Sequence, residues 1–114
     1  MTNYLVVLES AWVVKDVKSV DDAMSVAISE AGKRLNTAKM DYVEVGVGDT
    51  FCPFCGEPFE SAFVVANTGI VGLIFEMRVF NAESKEHAER IARKGIGKAL
   101  RDVPLKSVEI TEIE

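Results

Sequence analysis

A chain of 114 residues with 48% apolar side chains has the size of a single domain and enough apolar surface to bury a core without disulfide staples. Its formal net charge of −5 excludes wholesale binding to nucleic acid or to an acidic membrane surface, and leaves room only for a local basic patch. No apolar run approaches the roughly 20 residues of a membrane helix. The apolar start MTNYLVVLES lacks the basic lead and small-residue cleavage site of a signal peptide, so a cytoplasmic protein with reduced thiols is expected.

Residues Tyr4 to Lys15 are almost continuously apolar or β-branched, the pattern of a strand buried on both faces. Ser19 then offers a helix N-cap, with Asp21 and Asp22 placed to complement the helix dipole. Ala23, Val26, Ala27, Ala31 and Leu35 follow at helical spacing, and Asn36 is suited to end the helix. From Asp41 to Gly48 the residues alternate, with Val43, Val45 and Val47 on one face of a strand. The segment 49–60, DTFCPFCGEPFE, reads as a loop. Ser61 to Ala66 reads as a short strand, Asn67-Thr68-Gly69 as a turn, and Ile70 to Phe80 as another long strand. Ser84 caps a second helix running through Ala88, Ile91, Ala92, Ala99 and Leu100. Pro104 breaks it, and Leu105 to Ile113 form a last strand.

The two halves resemble each other at a fixed offset of 65 positions. Ser19 matches Ser84, Ala23 matches Ala88, Gly32-Lys33 matches Gly97-Lys98, Leu35 matches Leu100, and Val43-Glu44-Val45 matches Val108-Glu109-Ile110. A duplicated strand–helix–strand unit predicts an α+β domain of ferredoxin-like βαββαβ type, with a Cys-rich knuckle inserted between the halves. One domain is expected over 1–114: a first half at 1–48, the knuckle insertion at 49–69 and a second half at 70–114.

The sharpest motif is Cys52-Pro53-Phe54-Cys55-Gly56. Two thiolates at this spacing can face one metal from a tight turn, and Gly56 would supply the positive φ that such a turn needs. Cys52 and Cys55 are therefore candidate ligands of zinc. Structural zinc takes four ligands, and the chain holds two cysteines and one histidine, His87. His87, Glu57 and Glu60 are candidates for the remainder. The preferred arrangement is a homodimer in which each chain gives Cys52 and Cys55 to a shared four-cysteine site near a two-fold axis. The same four letters also look like the dithiol of glutaredoxin-type oxidoreductases, but Gly56 and Pro58 make a poor helix start after Cys55.

Phe51, Phe54, Phe59 and Phe63 crowd around the knuckle. The simpler expectation is a satellite core propping up the loop; the alternative is a docking surface for an unidentified protein partner. Arg90, Lys94, Lys98 and Arg101 fall within about 80° of one another on the second helix. Such a stripe is either a solvated face or the basis of an anion- or RNA-binding module. Gly32 and Gly97, at equivalent helix positions, suggest a close approach of backbone. No phosphate loop, dinucleotide fingerprint, Ser-His-Asp set or metalloprotease motif is present, so enzyme activity finds little support in the residues.

SEAGKRLN (29–36), CPFCGEPF (52–59), VFNAES (79–84) and GKALRDVPLK (97–106) together resemble a family of small uncharacterised archaeal proteins that carry a Cys-Pro-x-Cys-Gly knuckle. The resemblance spans nearly the whole chain and implies an archaeal cytoplasmic origin. It matches Cys52 and Cys55 to the knuckle and supplies no activity. The expectation is a zinc-binding, homo-oligomeric binding or assembly module, without membrane or nucleic acid as partner.

Overall fold

The computed structural model describes residues 2–40, 42–51, 53–101 and 103–113, the side chain of Phe51 excepted. In chain order the elements are β1 (Thr2–Lys15), α1 (Val20–Thr37), β2 (Glu44–Val47), β3 (Asp49–Phe51), β4 (Pro58–Glu60), β5 (Ala62–Val65), β6 (Thr68–Ala82), α2 (Lys85–Leu100) and β7 (Lys106–Ile113). The main sheet has the order β2-β6-β1-β7, with β5 also on β6, and its pairings are antiparallel. The fold is thus mixed α+β, two helices packed with a mainly antiparallel sheet.

Both helices start for the same reason. The Ser19 hydroxyl accepts from the Asp22 N–H at 3.1 Å, and the Ser84 hydroxyl accepts from the His87 N–H at the same distance. A left-handed residue precedes each cap, Asp16 (φ 60°) and Asn81 (φ 58°), types whose short polar side chains tolerate that region. The buried helix positions coincide as well: Ala23, Ala27, Ala31 and Leu35 of α1, and Ala88, Ala92, Ile96 and Leu100 of α2. The 65-residue offset read in the sequence is therefore an offset of caps and buried positions in space.

Alternate residues of the two central strands face the helices. Tyr4, Val6, Leu8, Trp12 and Val14 of β1 and Val71, Leu73, Phe75, Met77 and Val79 of β6 are buried in one core with the helix alanines. Small alanines let the helices lie close to the sheet, and the large strand side chains fill the space between. Arg34 joins the layers: its Nη1 donates to the Leu100 carbonyl at 2.8 Å, and its guanidinium lies 4.9 Å from the Trp12 ring centroid. The Trp12 indole N–H donates to Glu30 at 3.2 Å.

Two expectations need correction. β1 is not covered on both faces: Ala11, Val13 and Lys15 are exposed, because both helices lie on the other side. The segment 49–60 is not simply a loop, since β3 and β4 pair within it from Asp49 opposite Glu60 to Phe51 opposite Pro58. Among the described residues no helix is long and apolar enough to cross a membrane.

The close glycine approach falls elsewhere than predicted. A Cβ on Gly32 would meet nothing within 4 Å, and one on Gly97 only Leu105 at 3.8 Å. At Gly69 it would lie 2.8 Å from the Ala23 Cβ and 2.9 Å from a Val14 methyl. Opposite signs follow for two identical substitutions. Gly32→Ala should stabilise by roughly 0.5–1 kcal/mol through helix propensity, whereas Gly69→Ala should destabilise by about 1–3 kcal/mol through overpacking. Urea unfolding followed by Trp12 fluorescence, with unchanged m-values, checks both.

Candidate functional site

The segment expected to form the knuckle is built into the edge of the sheet as a hairpin. β2 runs along β6 from Glu44 opposite Glu76 to Val47 opposite Leu73, and β5 continues the same lane from Ala62 opposite Val71 to Val65 opposite Thr68. Between them the chain leaves as the β3–β4 hairpin and returns. Gly72 holds both ends of this excursion: its carbonyl accepts from the Gly48 N–H at 2.8 Å, and its N–H donates to the Ser61 carbonyl at 2.6 Å. The Ser61 N–H donates to the Gly48 carbonyl at 2.8 Å, and the Thr50 and Ser61 hydroxyls are hydrogen-bonded. A Cβ on Gly72 would stand 2.9 Å from the Ser61 Cβ, which explains glycine at this crossing. The segment predicted as a separate short strand is thus the second half of an edge strand interrupted by a hairpin.

At the hairpin's tip Gly56 has φ 74°, the conformation expected of it. Cys55 is exposed and has no disulfide partner among the described residues, and Cys52 lies outside them. A strand follows Cys55, not a helix, so the described chain gives this thiol no helix N-terminus of the oxidoreductase kind. Among the described residues no group of three or more His, Cys, Asp or Glu side chains comes together. Glu57 and Glu60 are exposed on the hairpin. His87 sits in the first turn of α2, where its Nδ1 accepts from the Glu83 N–H at 3.0 Å and completes the helix cap.

The side chain of Phe51 lies outside the described residues, and the other three phenylalanines do not form the satellite core expected of them. Phe54 is 97% exposed, and Phe59 and Phe63 meet edge to face at 6.1 Å while both remain exposed. The backbone register extends this pair across the sheet: Phe63 lies opposite Ile70, and Ile70 opposite Val13. These three residues are 51%, 49% and 56% exposed, a continuous apolar row on the sheet face away from the helices. Sequence reasoning missed Val13 and Ile70 as surface residues. The signal was the alternation of Ile70, Gly72, Ile74, Glu76 and Arg78 with the buried residues of β6, which marks a second face carrying both apolar and charged groups.

The basic stripe of α2 divides. Lys98 and Arg101 line a groove with Lys33 and Arg34 of α1, whereas Arg90 and Lys94 lie outside that lining. Arg93, one position away, pairs with Glu89 at 3.4 Å and donates to Ser107 at 3.2 Å.

Residues 4–113 match the family described as "Protein of unknown function (DUF555)". The chain is 84% identical to a UPF0212 protein of Methanocella arvoryzae over 114 residues, covering 100% of both chains. It is 59% identical to a UPF0212 protein of Haloquadratum walsbyi, covering 100% of this chain and 97% of that one, and 53% identical to one of Archaeoglobus fulgidus, covering 100% of both. Among solved structures, an amidase of the hydantoinase/carbamoylase family from Burkholderia multivorans is similar over 96% of this chain and 29% of that one, at 9% identity and a TM-score of 0.28. That likeness is too loose to carry any argument about this chain.

The Phe59–Phe63 contact is the described aromatic link between the hairpin and the sheet. Phe59→Ala should remove about 0.5–1.5 kcal/mol of local stabilisation. Hydrogen exchange should then speed up across 49–60 while the amides of β1 and β6 keep their protection; equal loss in both regions would show the hairpin to be part of the global folding unit.

Proposed function

We propose that this chain, which belongs to the uncharacterised archaeal family described as DUF555, is a homodimeric assembly module whose knuckle is ordered by zinc. The observation that carries this reading is the continuity of knuckle and sheet face. Phe59 of the hairpin, Phe63 of β5, Ile70 of β6 and Val13 of β1 form one exposed apolar line from the Cys segment to the sheet's centre. Sheet order β2-β6-β1-β7 supports the ferredoxin-like βαββαβ arrangement, in which two helices cover one face of the sheet and leave the other open. Covering that open face with a second copy removes the apolar row from water.

Two features of the described turn support zinc. The turn carries its glycine at positive φ, and Cys55 is exposed and unpaired among the described residues. His87 already serves the α2 cap, which weakens it as a third ligand and favours a site completed by a second chain. Zinc binding contributes folding free energy on the order of 10 kcal/mol, ample to fix a three-residue ribbon that has little core of its own. The module's output is then a rigid surface presented to a partner, with Phe54 at its tip.

Native mass spectrometry of the purified protein tests this directly. One zinc per two chains is expected, and Cys52→Ser/Cys55→Ser should lose the metal. Ile70→Glu, on a residue half exposed in the single chain, should weaken the dimer by about 2 kcal/mol or more without altering the urea midpoint of the isolated fold. A monomer, or one zinc bound per monomer, would overturn the shared site. A reversible Cys52–Cys55 disulfide in metal-free chains would favour the thiol–disulfide reading instead.

A further inference from the structure

We propose that the groove between the C-terminal halves of α1 and α2 binds a small ligand bearing a di- or triphosphate group. This groove has a volume of about 1160 Å³ and is lined by Lys33, Arg34 and Thr37 of α1 and by Lys98 and Arg101 at the end of α2. The chain as a whole carries 18 acidic against 13 basic side chains, so four cations in one concavity run against its overall charge.

The duplication explains how the cations meet. Lys33 and Lys98 are the equivalent residues of the two Gly-Lys pairs, 65 positions apart, and the fold brings both to the same groove. Two lysines supplied by equivalent helices suit a ligand with two linked anionic groups better than a single anion. Arg34 is already held, with Nη1 on the Leu100 carbonyl at 2.8 Å and its guanidinium against Trp12. One carbonyl uses one of its five N–H donors, and a guanidinium fixed in advance loses little entropy when a phosphate arrives. Arg101 sits at φ 44°, ψ 161°, a left-handed backbone position that favours glycine. Holding a non-glycine residue there costs on the order of 1–3 kcal/mol, strain of the kind that collects at ligand sites.

Basic residues in the last turn of a helix also complement its dipole, which accounts for Arg34 and Lys98. It accounts neither for the strained Arg101 nor for the gathering of cations from both helices. A long polyanion such as RNA is the weaker match, because Arg90 and Lys94, which would extend a track along α2, lie outside the groove.

Isothermal titration of the full chain with inorganic triphosphate in 0.15 M salt (about the physiological ionic strength), alongside thermal unfolding, is the test. Saturable binding of one triphosphate per chain and a raised melting temperature are expected. Lys33→Gln/Lys98→Gln should weaken binding at least about tenfold, with the Arg90→Gln/Lys94→Gln control within about twofold of wild type. Should the first pair fail to fold, Arg101→Gln alone is expected to show the same loss in direction. Three results would overturn the site: no saturable binding by the wild type, equal losses in the groove and control variants, or a single-stranded RNA oligonucleotide bound more tightly than triphosphate.

Discussion

Pairing of β1 with β6, from Lys15 opposite Thr68 to Tyr4 opposite Val79, fixes the phase of both faces of the sheet. Side chains alternate along a strand, so a slip of one residue would exchange the core row for the outer row. The register holds because Phe75, Leu73, Leu8 and Val6 fit only beneath the helix alanines, while Glu9, Glu76 and Arg78 belong outside. At one end Gly69 sets the depth at which α1 rests on the pair. The helices follow from the same register, since Trp12 on the inner row provides the surface over which Arg34 reaches to Leu100.

The β3–β4 hairpin depends on this pairing indirectly, through Gly72. Its carbonyl and N–H serve the two ends of the hairpin, so the edge strand continues past a twelve-residue excursion (49–60) almost as if it were unbroken. An edge strand offers unpaired backbone groups to other chains. Interrupting it with a hairpin that turns on Gly56 blunts that edge and projects Phe54 away from the body of the protein. Here one device both limits unwanted strand pairing and presents the residues nearest the cysteines.

Much of the fold was legible in the sequence because it rests on local signals. Ser19 and Ser84 announced both helices, and the recurrence of Ala23, Ala27 and Leu35 at Ala88, Ala92 and Leu100 announced the duplication. The hairpin was hidden by composition: Pro53, Gly56 and Pro58 are turn formers, and the ends of the ribbon that flanks the turn are anchored by long-range bonds to Gly72 that no local pattern reveals. The outer apolar row was hidden by its chemistry. Val13 and Ile70 are as apolar as core residues, and only the placement of both helices on one side leaves them exposed. Gly32 misled for the opposite reason. Its repetition at Gly97 reflects the duplicated unit and not contact, whereas the crowded glycines, Gly69 and Gly72, lie in strand positions set by tertiary packing.

The two surfaces lie on opposite sides of the sheet. The apolar row of Phe63, Ile70 and Val13 faces away from the helices, and the basic groove lies among them. A second copy covering the row would leave the groove open to solvent. Separating an apolar face from a charged one spares each the other's cost: the groove cations stay away from the apolar row, where their desolvation would oppose any association. What connects the two is a single step along β1. Trp12 lies under Arg34, and the next residue, Val13, is on the outer row. Trp12, a buried ring of β1, is thus the physical link between the groove residue Arg34 and the strand whose next residue belongs to the outer row.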